Sequence, residues 1–267
     1  MSLRPAPADA GVIFRCGDGV EVPARVGSVV GSAQSTQLGV GEARISTVEH
    51  LLAALCAGGL DNVVVETEGE ELPILDGSAA GWVALLERAG RRSISRPRQY
   101  VEVRKTVTVA WGDRRISISP ADCFSLRCEI VFDHPIIGHQ AIDIADLTPE
   151  IFEHELAGAR TFGFEADAKR LRDAGLARGA SLENTLVLSE HGLLNPEGLR
   201  WPDEFVRHKG LDLVGDLALL GGPILGRVEV ERGGHALHHA LLAALVSDPE
   251  ALRWIPDPST PAEQPGA

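Results

Sequence analysis

Two stretches, far apart in the chain, place ionisable side chains inside runs that otherwise read as buried helix. The first is Ser46-Thr47-Val48-Glu49-His50-Leu51-Leu52-Ala53-Ala54-Leu55. The second runs from Phe205 to Leu217 and carries His208, Asp212 and Asp216. Residues four apart share one helix face, so these three line up along a surface flanked by Leu, Val and Phe. Burying even one uncharged polar group without a partner costs roughly 2–7 kcal/mol. A divalent cation held by the row removes that cost, and the pattern predicts a metal-dependent enzyme.

The chain's 267 residues suit one large domain or two small ones, and either can bury a core. A net charge of -13 excludes non-specific binding to nucleic acid or anionic lipid, though not a local basic pocket for one anionic ligand. Cys16, Cys56, Cys123 and Cys128 form no Cys-x-x-Cys pair and read as free, partly buried thiols of a reducing compartment. No apolar stretch approaches the roughly 18 residues needed to span a membrane. The N-terminus lacks a signal-peptide pattern, so a soluble, cytoplasmic protein is expected.

Residues 11–30 read as short strands broken by Gly and Pro. A helix is predicted from about Ser46 to Cys56, a strand at Val63-Val64-Val65-Glu66 and a second helix from about Ala79 to Ala89. The basic stretch from Gly90 to Gln99 looks like a linker. Beyond it, Tyr100 to Ala110, Arg114 to Ser119 and Phe124 to Phe132 alternate as strands. Helical patterns return near Pro149 to Leu156, Glu165 to Ala174, Pro202 to Leu220 and His235 to Val246. Strands then helices, twice, predict an α+β protein of two similar two-layer domains, each packing helices against a mostly antiparallel sheet. The expected boundaries are residues 1–92 and 99–250, with 251–267 a disordered, proline-rich tail.

On the first helix Val48, Leu51, Leu52 and Leu55 form the core face, and His50 lies opposite. Taken alone, Ser46-x-x-Glu49 is a capping-box pattern, and a single His50 is an ordinary core histidine. The second helix changes that reading. His208-x-x-x-Asp212 sets an imidazole and a carboxylate one turn apart, spaced to grip one ion, and Asp216 one turn on can orient a neighbour. His50, His208 and Asp212 together leave a fourth position open for water, the arrangement of catalytic zinc, with Glu49 beside them as proton acceptor. Two His and one carboxylate also suit Fe(II). Gly233-Gly234 turns the chain tightly ahead of His235, whose ring Asp216 could charge by pairing. Thr161 in Ala159-Arg160-Thr161-Phe162-Gly163-Phe164 offers a hydroxyl for a developing oxyanion.

These segments, with Leu72-Pro73-Ile74-Leu75-Asp76-Gly77-Ser78, Asp203-Glu204-Phe205-Val206-Arg207-His208-Lys209 and Gly233-Gly234-His235-Ala236-Leu237, resemble the UDP-3-O-acyl-N-acetylglucosamine deacetylases of lipid A biosynthesis. The resemblance runs from Leu3 to about Leu245. It implies a zinc amidase with its active site between the two domains, acting on an acylated UDP-sugar and expected to be a monomer. It implies that His50, His208 and Asp212 bind zinc and that Glu49 is the general base. It further implies that His235, oriented by Asp216, stabilises the oxyanion and protonates the leaving amine. Thr161 would meet the oxyanion, Phe162 the sugar and Lys209 the polar end of the substrate, and residues 163–179 would form a passage for the acyl chain. Three departures stand out: the family's opening strand hairpin is not matched, Ala180 replaces a common Gly, and His238-His239 replaces a common Asn-Asn. The rival readings are a non-catalytic paralogue that binds the sugar nucleotide and a mononuclear iron enzyme.

Overall fold

A computed structural model describes residues 1–17, 19–167 and 179–258. The first half opens with strands β1 (Ser2–Pro5), β2 (Val12–Arg15) and β3 (Glu21–Pro23). A small antiparallel sheet follows, made of β4 (Val29–Gly31), β5 (Gln37–Val40) and β6 (Ala43–Ser46). The chain then forms helix α1 (Glu49–Ala57), strand β7 (Val63–Glu66) and helix α2 (Ala80–Ala89). Strand β7 inserts between β1 and β2, so the larger sheet runs β1-β7-β2-β3.

The second half begins with β8 (Gln99–Val103), β9 (Val107–Trp111), β10 (Arg114–Ser119), β11 (Phe124–Val131) and β12 (His139–Ile144). Helix α3 (Pro149–Phe152) leads to a small sheet of β13 (Phe162–Phe164), β14 (Leu186–Ser189) and β15 (Gly192–Leu193). Helix α4 (Glu204–Leu217), strand β16 (Ile224–Glu231), helix α5 (His235–Ser247) and strand β17 (Leu252–Pro256) complete it. The main sheet runs β12-β11-β16-β10-β9, with β8 on β16 and β17 on β8.

The architecture is α+β, and its sheets are mostly antiparallel; among the parallel pairings, one in each half encloses a buried helix. Strands β2 and β7 pair in parallel with α1 between them in sequence, and β11 and β16 pair in parallel with α4 between them. Parallel neighbours need a crossover, usually helical, so both halves carry the same strand–helix–strand unit. No ladder among the described residues joins a strand of one half to a strand of the other. The two halves nevertheless share one continuous apolar core, which includes Leu51 and Leu55 of α1 with Leu211 and Leu213 of α4.

Helices α1 and α4 lie deep in that core. Every residue from Glu49 to Leu55 is buried, as are all residues of α4 except Arg207 and Lys209. A helix enclosed all round has no solvent face on which to put its ionisable groups. Those groups must therefore find partners inside.

Three expectations need correction. Tyr100 to Ala110 is not one strand: the chain breaks at residues 104–106, and β8 and β9 join different neighbours. Strand β16, absent from the sequence reading, is central, with Ile224, Val228 and Val230 turned into the core. Within the expected tail lies β17, which pairs antiparallel with β8 from Leu252↔Val103 to Pro256↔Gln99. Most of the passage expected at residues 163–179, most of the helix expected from Glu165 to Ala174, and residues 259–267 lie outside the described residues. None of the four cysteines is in a disulfide, as expected, and no described helix is long and apolar enough to cross a membrane.

Candidate active site

The entry to α1 is tight. Thr47 takes a left-handed φ of 60°, a conformation that costs a residue with a Cβ about 1–2 kcal/mol. Its hydroxyl donates to Glu71 at 3.1 Å. The helix begins at Glu49 itself, so the capping box does not form. The Ser46 hydroxyl accepts from Gln37 Nε2 at 2.9 Å, and the Glu49 carboxylate accepts the Thr36 N–H at 3.1 Å.

The start of α4 is clamped to the strand that follows Ala159. Glu204, fully buried, accepts from Arg160 N at 3.1 Å, from Arg160 Nε at 2.9 Å and from the Arg200 N–H at 2.6 Å. One turn further along α4, His208 Nδ1 donates to the Ala159 carbonyl at 3.0 Å. That bond fixes the tautomer and leaves Nε2 with a free lone pair, as a metal ligand requires.

The two helices then converge. Asp212 Oδ1 lies 3.5 Å from His50 Nε2 and 3.3 Å from His208 Nε2. Two ligands bound at about 2.0–2.1 Å in a tetrahedral shell stand about 3.3–3.4 Å apart, so both separations suit a shared ion. Asp212 Oδ1 is buried with no hydrogen-bond donor among the described residues. A buried carboxylate oxygen facing two imidazole lone pairs is satisfied by a cation, and the donor set fits a divalent metal. His50 Nδ1 is also buried and, unlike His208 Nδ1, meets no hydrogen-bond partner among the described residues.

Charge is arranged to match. Burial lowers the His208 pKa to about 3, which keeps it neutral and able to ligate. Burial works against the Asp212 carboxylate, but the Lys209 ammonium beside it holds its pKa well below the usual range. Lys209 Nζ donates to Asp212 Oδ2 at 2.9 Å and sits 5.3 Å from the centre of the Phe162 ring. Burial pushes the Glu49 carboxyl up, towards the range where a general base works best.

Beside this cluster stands a second one, built on Asp216. Its Oδ2 accepts from His235 Nδ1 and from His238 Nδ1, each at 2.8 Å, and its Oδ1 accepts the Thr36 hydroxyl. His238 Nε2 accepts the Gly234 N–H at 3.3 Å, which fixes that ring as the Nδ1–H tautomer. Burial alone would lower the His235 pKa, yet the Asp216 carboxylate outweighs it and raises the value to about 9. His235 Nε2 faces the first cluster, 3.9 Å from Glu49 Oε1 and 4.0 Å from Asp212 Oδ2. One buried cluster therefore holds a metal-ligand triad, a carboxylate with a raised pKa and a cationic imidazole.

Residues 1–247 match the family described as UDP-3-O-acyl N-acetylglycosamine deacetylase (LpxC). The chain belongs to this family. A protein of Anaeromyxobacter sp. (strain Fw109-5) named UDP-3-O-acyl-N-acetylglucosamine deacetylase is 47% identical, the match covering 100% of this chain and 89% of that relative. Relatives of the same name from Myxococcus xanthus (strain DK1622) and Phenylobacterium zucineum (strain HLK1) are 45% and 47% identical. They match 96% and 95% of this chain and 82% and 88% of their own length, respectively.

Within this LpxC-family chain the fold brings Glu49, His50, His208, Asp212, Asp216 and His235 into one cluster. Lys209 and Phe162 form an adjoining wall, with the Phe162 and His208 rings 6.3 Å apart. Thr161 is set by its backbone, which donates to Gly77 O and accepts from Leu186 N, each at 2.8 Å. The sequence reading missed Thr36 and gave His238 and His239 no role. Thr36 sits in a polar loop, Ser32-Ala33-Gln34-Ser35-Thr36, with no periodicity to mark it. The signal for His238 lay in spacing, since 235 and 238 share a helix face.

Proposed function

We propose that this chain removes acetate from the 2-acetamido group of UDP-3-O-acyl-N-acetylglucosamine by zinc-dependent amide hydrolysis, a step of lipid A biosynthesis. The observation that carries the reading is the convergence of His50, His208 and Asp212 beside Glu49 and the His235–Asp216 pair. His50, His208 and Asp212 would hold the metal. When bound, zinc with one position open supplies an acidified water and a Lewis acid for the amide carbonyl. Fe(II) suits the same donors, and the base beside them favours hydrolysis with either ion.

The chain's own groups divide the proton transfers. Glu49 takes a proton from the attacking water as its oxygen adds to the acetamide carbon. His235, held at Nδ1 by Asp216, presents Nε2–H towards the reacting group and gives that proton to the amine as the carbon–nitrogen bond breaks. Thr161 donates to the oxyanion, Phe162 packs on the sugar, and Lys209, which keeps Asp212 charged, meets the polar end of the substrate. We read residues 1–92 and 99–250 as two domains that enclose this site, and we place the enzyme in the cytoplasm as a monomer.

The test is acetate release from the acylated sugar nucleotide by wild type and Glu49→Gln, each loaded with zinc, with and without a chelator. Wild type should turn over and lose activity to the chelator. The variant should keep its zinc yet fall by about 10²-fold or more. Wild-type turnover in the variant would remove Glu49 as base, and chelator-resistant activity would remove the metal.

A further inference from the structure

Thr36 touches both partners of the proposed acid–base chemistry. Its N–H donates to Glu49 Oε2 at 3.1 Å, and its hydroxyl donates to Asp216 Oδ1. The same hydroxyl lies 3.0 Å from His239 Nε2. Its only proton goes to the carboxylate, so His239 Nε2–H must be the donor to the Thr36 oxygen. His239 Nδ1 then carries the lone pair, which agrees with its being buried without a partner among the described residues. The residue is completely buried and comes from the loop between β4 and β5, while the groups it joins come from α1, α4 and α5.

We propose that Thr36 is a positioning residue for the reaction. Its side chain fixes the Asp216 carboxylate so that Oδ2 stays aimed at His235 Nδ1, and its N–H fixes the rotamer of Glu49. Without the hydroxyl, Asp216 Oδ1 is left with the longer approach of His239 Nε2 at 3.5 Å, while His235 and His238 both bond Oδ2. The carboxylate can then turn about its side-chain axis, and His235 turns with it. The His239 N–H would also lose its nearer acceptor. This inference rests on the acid–base reading above.

The experiment compares Thr36→Val, which keeps the shape and the N–H but deletes the hydroxyl, with Thr36→Ser, which keeps the hydroxyl. Both are loaded with zinc and checked for metal content and melting temperature. Thr36→Val should lose about 10-fold in kcat with KM changed less than about 2-fold, while Thr36→Ser stays within about 3-fold of wild type. In a double-mutant cycle, adding Thr36→Val to Asp216→Asn should cost almost nothing further, because both changes remove the same arm. A kcat for Thr36→Val equal to wild type overturns the proposal, as does a Thr36→Ser variant as slow as Thr36→Val. A multiplicative loss in the cycle overturns it too. Should Thr36→Val fail to fold, the serine variant and the cycle run with Thr36→Ala decide by the same criteria. Failure of the function reading looks different, since wild type itself would then release no acetate.

Discussion

Gly215 of α4 faces the carbonyl of Glu49 on α1 so closely that an added Cβ would stand 2.0 Å from that oxygen. The neighbour is backbone and cannot swing away. Only glycine lets the helix carrying His208 and Asp212 approach the helix carrying His50. Gly215→Ala must therefore push the helices apart. Overpacking costs about 1–3 kcal/mol, against about 1 kcal/mol gained from alanine's helix propensity. The expected result is a lower melting temperature together with weaker metal retention on dialysis. A variant as stable and as metal-rich as wild type would contradict the close approach.

Metal binding should stabilise the fold through the buried triad. At a free ion concentration about 100 times Kd, linkage predicts a gain of about 2.7 kcal/mol. Zinc should raise the melting temperature of the metal-stripped protein, and His208→Ala should abolish the increase. An equal increase in that variant would locate the binding elsewhere.

The Asp216–His235 pair makes stability depend on pH. The His235 pKa is raised from 6.5 to about 9, so its contribution is fully present below about 6.5 and is lost as pH rises through about 9. A shift of that size is worth about 3 kcal/mol. Asp216 is held well below its ordinary value, so its contribution is present above about 3.8 and disappears as pH falls below that. Urea unfolding of the metal-free protein should show stability dropping between pH 6.5 and 9, and His235→Gln should flatten that limb. Parallel curves for the two proteins would refute the pairing.

Activity should follow a bell in pH, because Glu49 must be ionised and His235 protonated at once. His235→Gln should lower kcat by about 10²-fold or more and remove the alkaline limb. An unchanged alkaline limb would assign that limb to another group.

The Glu204 clamp should matter for stability far more than its distance from the chemistry suggests. Removing one partner of a buried ion pair leaves the other uncompensated and costs about 3–5 kcal/mol. Glu204→Gln should lower the melting temperature sharply and loosen the Ala159 carbonyl that orients His208. A melting temperature unchanged from wild type would count against the clamp.

Much of the site was legible because its chemistry follows helical periodicity. His208, Asp212 and Asp216 recur every four residues, and that spacing alone puts them on one face. What lay outside the reading depends on contacts between distant segments. The meeting of α1 and α4 rests on one glycine opposite one carbonyl. Ser46, three residues before Glu49, offered a capping box as the rival to its reading as proton acceptor, yet the helix starts at Glu49 and its carboxylate accepts the Thr36 N–H. Strand β16 alternates clearly, but it lies between two strongly helical stretches that dominated the pattern. Strand β17 was masked by the prolines around it, although Pro256 closes the strand, where a missing N–H costs little.

The most direct test of the central claim is anomalous scattering at the zinc edge from crystals of the zinc-loaded protein. A single strong peak is expected about 2.0–2.2 Å from His50 Nε2, His208 Nε2 and an Asp212 carboxylate oxygen, with Glu49 adjacent but not bonded to it. A peak at any other place, or none beside these three atoms, would contradict the account.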